Sequence, residues 1–243
     1  MYYFTTALHT YNIDASDGEM GRIKDLYIDD HNWKIRYAIV DTRKWLPERK
    51  VLIPPSAFIE VNEENETLEV EYDKEMIKQS PPVPEESDLT IDKENQLIKY
   101  FGWTRYWPED VLISGEQRAI GVFNQKSERV YQEPEDFERE QLIANHRDNN
   151  HKLRSHQEIL YARVHGRDGK LGRLEDFVYN TDWNLKYIVI GSPNPAEDEF
   201  YYYPVEKVAS VDWYEGDLYL DETIVGLYNQ KSFHDKREIL NEL

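Results

Sequence analysis

Gly18-Glu-Met-Gly-Arg-Ile-Lys-Asp-Leu-Tyr-Ile28 returns 151 residues later as Gly169-Lys-Leu-Gly-Arg-Leu-Glu-Asp-Phe-Val-Tyr179. Ile35-Arg-Tyr-Ala-Ile-Val40 likewise returns as Leu185-Lys-Tyr-Ile-Val-Ile190. Each pair of runs reads as a hairpin. The apolar positions Ile23, Leu26 and Ile28 slip once from strict alternation near Asp25, and Leu174, Phe177 and Tyr179 slip at the same place. A shared β-bulge explains both slips. The second run is apolar on both faces apart from Arg36, the pattern of a central strand covered on two sides.

Outward from this stretch the correspondence continues. Leu8, Tyr11 and Ile13 suggest a first short strand, ended by the turn residues Asp14-Ala-Ser-Asp-Gly18. The turn Asp29-Asp-His-Asn32 matches Asn180-Thr-Asp182, one residue shorter, and a Trp follows each, at 33 and 183. Beyond that turn the offset is 150: Lys50-Val-Leu-Ile-Pro54 matches Phe200-Tyr-Tyr-Tyr-Pro204, and Leu68 matches Leu218. Solenoid units recur every ~20–50 residues, so this spacing predicts a duplicated domain instead. Several short strands per copy hide their edges best by closing into a barrel. The expected boundaries are residues 1–80, a connector over 81–152, and residues 153–243.

The connector differs in character. Ser80-Pro-Pro-Val-Pro-Glu-Glu-Ser-Asp88 predicts an extended, exposed linker, and Ile91 to Phe101 a short helix with Asp92 near its start and Leu97, Ile98 and Phe101 on one face. An aromatic patch, Phe101-Gly-Trp-Thr-Arg-Tyr-Trp107, follows. Trp103, Arg105, Tyr106 and Trp107 are residue types enriched at interface hot spots, which makes them a candidate interaction surface. The competing reading packs the same rings between the two barrels. Glu133 to Asn150 reads as an exposed helix or a flexible linker.

Composition narrows the function classes. With 48 Asp plus Glu against 29 Lys plus Arg, a net charge of −19 repels phosphate backbones; nucleic acid is disfavoured and a basic protein partner is easier to accommodate. No apolar run approaches the ~18 residues of a membrane span, no secretory signal is visible, and cytoplasmic residence is the default expectation. The absence of cysteine excludes disulfides and thiol chemistry.

Neither Gly-x-x-Gly pair is a Gly-x-Gly-x-x-Gly, and neither precedes a helical pattern, so both read as hairpin turns. The repeated Arg22/Asp25 and Arg173/Asp176 positions read as an ion pair or backbone hydrogen bond holding the bulged strand. His146, His151 and His156, five apart, do not share a helical face as metal pairs do; His9, His31, His165 and His234 suggest no site. No nucleophile elbow or zinc-protease motif is present. The expectation is a non-enzyme with no metal and no cofactor. Tyr201-Tyr-Tyr203 alternates across its strand, so at least one ring should lie outside the barrel, against a partner or the other barrel.

These residues carry a family resemblance. Asp17-Gly-Glu-Met-Gly-Arg-Ile-Lys-Asp25, Asp29-Asp30, Trp33, Ile35 through Thr42, Trp45-Leu-Pro47 and Lys50-Val-Leu-Ile-Pro-Pro55 resemble the PRC-barrel domain. Leu153-Arg-Ser155 and Asp168-Gly-Lys-Leu-Gly172 open the second copy similarly, and Tyr100 to Trp107 resembles the segment after the first copy in bacterial proteins with two such domains. The resemblance implies a mainly β fold of two small six-stranded PRC-type barrels joined by a partly helical connector. The wider family includes the cytoplasmic domain of the photosynthetic reaction-centre H subunit and a domain of a ribosome-maturation factor. Both contact proteins, so the resemblance implies an interaction or scaffolding module with an unidentified protein partner. The sequence shows neither the membrane helix of the first nor the N-terminal domain of the second, so neither specific role is expected to transfer. Its second copy also has Gly191 for Asp41 and Ser192-Pro-Asn-Pro195 for the Trp45 loop. A small-molecule sensor with a site between the barrels is the alternative, and homo-oligomerisation is a third possibility.

Overall fold

The computed structural model describes residues 1–62, 65–85, 89–106, 153–194 and 197–243. The fold is mainly β. It divides into two compact units, Met1–Gln79 with Leu153–Leu243, and Ser80–Lys152.

In the larger unit the chain opens with β1 (Tyr2–Phe4), then β2 (Asn12–Ala15), β3 (Gly18–Asp29), β4 (Lys34–Asp41), β5 (Arg49–Ile53), β6 (Phe58–Asn62) and β7 (Thr67–Val70). In the smaller unit β8 is the pair Val83–Pro84. The larger unit resumes with β9 (Leu153–Ser155), β10 (Arg163–His165), β11 (Lys170–Asn180), β12 (Leu185–Gly191), β13 (Phe200–Pro204), β14 (Val208–Asp212) and β15 (Asp217–Leu220). The first sheet contains the run β6-β7-β2-β3-β4-β5 and the second the run β14-β15-β10-β11-β12-β13, the same order strand for strand. Among the described residues both orders are open, and neither sheet closes into a barrel. The expectation of closure assumed that each copy must hide its own edges; here each sheet also accepts a strand from the other half of the chain.

That acceptance is reciprocal. β1 pairs antiparallel with β11 of the second sheet, and β9 with β3 of the first. The two hairpin turns also pair: Ile35 N–H donates to the Trp183 carbonyl at 3.0 Å, and Leu185 N–H to the Trp33 carbonyl at 2.7 Å. Trp33 and Trp183 occupy the left-handed region that lets these turns present their carbonyls. The two halves are thus an approximately twofold pair within one chain, laced by exchanged arms.

Locally the hairpins follow their sequence. Register shifts fall between Ile23 and Asp25 and between Leu174 and Asp176, where the alternation slips. Ile35, Tyr37, Ala38, Ile39 and Val40 are all buried, as a strand covered on both faces requires. Gly21 and Gly172 adopt positive φ where a Cβ would strike the carbonyl oxygen of Asp41 or of Gly191. Close strand approach, not phosphate binding, uses these glycines.

Three expectations need correction. Leu8 lies in a 3-10 helix, Thr5–Thr10, and the first strand of the sheet begins only at Asn12. Ser80 and Val83 of the proline-rich segment are buried rather than exposed. Tyr201 and Tyr203 face the core, while Tyr202 packs with Tyr187 and Phe200 on a cluster of Phe4, Val178, Val189, Phe233 and Ile239. The outward ring is therefore covered by the chain's own arm and C-terminal segment.

In the smaller unit the helix Ile91–Phe101 forms as its pattern predicts. The Thr90 side chain caps its start, Leu97 and Ile98 are buried, and Gly102 ends it in the left-handed region. The charged stretch 133–150 lies outside the described residues. Among the described residues no helix is long and apolar enough to cross a membrane.

Candidate functional site

The repeated aspartates hold the exchanged arms. Asp176 is fully buried and accepts the Thr5 hydroxyl at 2.9 Å, the Thr6 N–H at 3.0 Å, the Phe177 N–H at 2.9 Å, the Thr6 hydroxyl, and the Lys236 ammonium at 2.7 Å. Asp25 accepts the Leu26 N–H at 2.8 Å, the Ser155 hydroxyl at 2.5 Å and the Gln157 N–H at 3.1 Å. Thr6 and Gln157 are equivalent positions of the two arms, so the same joint is built twice. Arg22 takes no part; its Nε donates to Asn12. The sequence expectation of a backbone hydrogen bond at the bulge is met, and its reach onto the other half's arm is new.

His156 sits between the arms. Its Nε2 lies 2.8 Å from the Thr5 hydroxyl and its Nδ1 3.3 Å from His9, whose ring stacks on it. Burial, reinforced by His9, pushes its pKa down to about 3. A neutral, fully engaged imidazole suits a structural joint. Among the described residues no group of His, Asp and Glu is arranged to hold a metal ion.

The second sheet carries a more open feature at its β14–β15 end. Arg154, Glu158, Ser210, Val211, Asp212, Trp213, Tyr214 and Tyr219 line a groove of about 730 Å³. Tyr214 is 95 % exposed and Tyr219 40 %, and Tyr161 stands exposed on the neighbouring turn. The Asp212 carboxylate accepts the N–H groups of Tyr214 and Glu215, each at 3.0 Å, and so shapes the turn that presents the rings. Tyr219 is fixed from behind by the stacked His165 ring. His165 and Arg163 both bind Asp217, whose carboxyl Arg163 holds below the usual carboxylate range. Arg154, on the arm, places its guanidinium 5.0 Å from the Trp213 ring centre and pairs with Asp30 of the first sheet at 3.3 Å. All the lining residues belong to the second half, and Asp30 ties Arg154 to the first.

The first sheet differs at the equivalent strand positions. The cross-strand pair Ser210 and Tyr219 stands where the first sheet has Glu60 and Glu69. Comparing the copies position by position is the sequence signal that would have exposed this difference.

The connector residues lie in the smaller unit. Trp103 is half-buried and stacks on Phe101 at 4.6 Å; Tyr106 is half-buried and Arg105 exposed. Trp107 lies outside the described residues, as do His146 and His151.

In a comparison with protein families, the model described as PRC-barrel domain matches residues 13–77, from β2 into the helix Lys74–Gln79. No curated protein matches the chain. The first half is thus similar to a PRC-barrel domain.

Proposed function

We propose that the protein is a non-enzymatic interaction or scaffolding module, built from two PRC-type β modules paired within one chain and joined by the connector, that binds a protein partner in the cytoplasm. The family match supports this for residues 13–77, and the identical strand order supports extending it to 153–243. The observation that carries the reading is the set of rings at the groove, exposed Tyr214 and Tyr219 with half-buried Trp213, where the first half has Glu64, Glu69 and Glu63 in sequence. Large rings with few rotatable bonds are efficient anchors for a partner. Trp103, Arg105, Tyr106 and Trp107 are a second contact surface in this reading.

Affinity capture from the native organism tests it, using wild type, Trp213→Ala/Tyr214→Ala and Trp103→Ala/Trp107→Ala. A protein enriched by wild type and lost with either variant is the expected result. Failure to enrich any protein defeats the reading.

One observation favours the alternative of a small-molecule sensor: the groove volume falls within the ~300–1,000 Å³ of ligand sites. A thermal-shift screen with metabolites distinguishes the two, since a sensor is stabilised by a hit that Tyr214→Ala removes.

A further inference from the structure

Two acidic residues without a paired cation line the groove. Glu158 and Asp212 line it, and among the described residues neither pairs with a Lys, Arg or His. The groove's own cation is already answered, because Arg154 pairs with Asp30 while lying over Trp213. What remains for an incoming group is negative charge beside the open faces of Tyr214 and Tyr219. An ammonium or guanidinium gains from both, through the carboxylate charge and through the ring quadrupole. The Arg154–Trp213 contact is an internal example of that pairing. An anionic ligand meets Glu158, Asp212 and a chain of net charge −19.

We infer that the groove docks a basic segment of a protein partner, with a Lys or Arg side chain laid over Tyr214 and Tyr219 between Glu158 and Asp212. This rests on the reading of the protein as an interaction module and supplies the partner's chemistry. The negative field of the whole chain steers such a segment toward the surface, and the rings select the place.

The test uses the full chain and a fluorescein-labelled ten-residue peptide alternating Arg with Ser, followed by fluorescence anisotropy. A peptide with Glu for each Arg is the comparison. Glu158→Gln/Asp212→Asn removes both charges while Asn keeps the turn acceptor for Tyr214 and Glu215. Glu60→Gln/Glu69→Gln removes the same charge from the equivalent place on the first sheet. Tyr214→Ala removes one ring from a position so exposed that folding is untouched.

The Arg peptide should bind and the Glu peptide should not. Glu158→Gln/Asp212→Asn and Tyr214→Ala should each weaken binding about tenfold, while Glu60→Gln/Glu69→Gln leaves it within about twofold. Equal weakening by the two charge variants means attraction to the net charge alone and overturns the inference, as does absence of Arg-peptide binding. If capture still yields a partner lost with Trp213→Ala/Tyr214→Ala, the interaction reading survives and only the basic chemistry is wrong.

Discussion

Asp176 gathers the Thr5 and Thr6 hydroxyls, two backbone N–H groups and Lys236 around one fully buried carboxylate. Its removal strands these donors, and breaking a buried charge pair costs about 3–5 kcal/mol. Asp25, with three neutral donors and no ammonium, should cost about 1–3 kcal/mol when replaced by Ala. Urea unfolding of Asp176→Ala and Asp25→Ala measures both, with the former the more damaging. His156 predicts a pH dependence of definite sign. Buried beside His9, it stays neutral in the folded protein down to about 3, whereas the unfolded chain takes up the proton near 6.5. The unfolded state therefore binds the extra proton between these values, and stability falls on acidification by up to ~1.4 kcal/mol per pH unit. Arg43 lowers Asp41 to about 2, and Asp29 is also lowered; both act only below about 4. Glu175, whose carboxyl pKa burial raises, titrates in the same window with the opposite sign, so the difference between wild type and His156→Gln in chemical denaturation from pH 6.5 to 4.5 isolates His156, and the variant should flatten the slope.

At the scale of elements, the hairpins were legible and the arms were not. Alternation, its single slip and the flanking turn residues locate β3, β4, β11 and β12, because a half-buried strand writes its faces into its sequence. The helix Ile91–Phe101 was legible through Asp92 near its start and its apolar face, while its Thr90 cap was not read. β1 and β9 are three residues each, too short for a period, and their partners lie far along the chain. Phe4 shows what such an arm contributes. It is buried in the cluster with Val178, Val189, Phe233 and Ile239, with Lys236 5.0 Å from its ring centre. Phe4→Ala should cost about 3–5 kcal/mol in urea unfolding, the range for a buried Phe. A loss under about 1 kcal/mol would mean that the arm is dispensable. The groove was illegible for another reason: Asp212-Trp-Tyr-Glu-Gly216 reads as an ordinary hairpin turn, and nothing local reveals that Arg154 and Glu158 meet it.

For the whole molecule, the exchanged arms make two similar sheets one body. Each half keeps its neighbour's arm through the same aspartate, and the arms touch through Thr5 and His156. The groove depends on that union, since Arg154 reaches Trp213 from an arm docked on the first sheet. The arms cover the edges of β3 and β11 that β2 and β10 leave unpaired. Hydrogen exchange followed by mass spectrometry, comparing wild type with Asp176→Ala, tests this union most directly. If the halves are coupled, exchange accelerates in Tyr2–Thr6 and also in Leu153–Ile159, although Asp176 touches only the first of these arms. Acceleration confined to Tyr2–Thr6 and the Asp176 bulge, with Leu153–Ile159 as protected as in wild type, would contradict it.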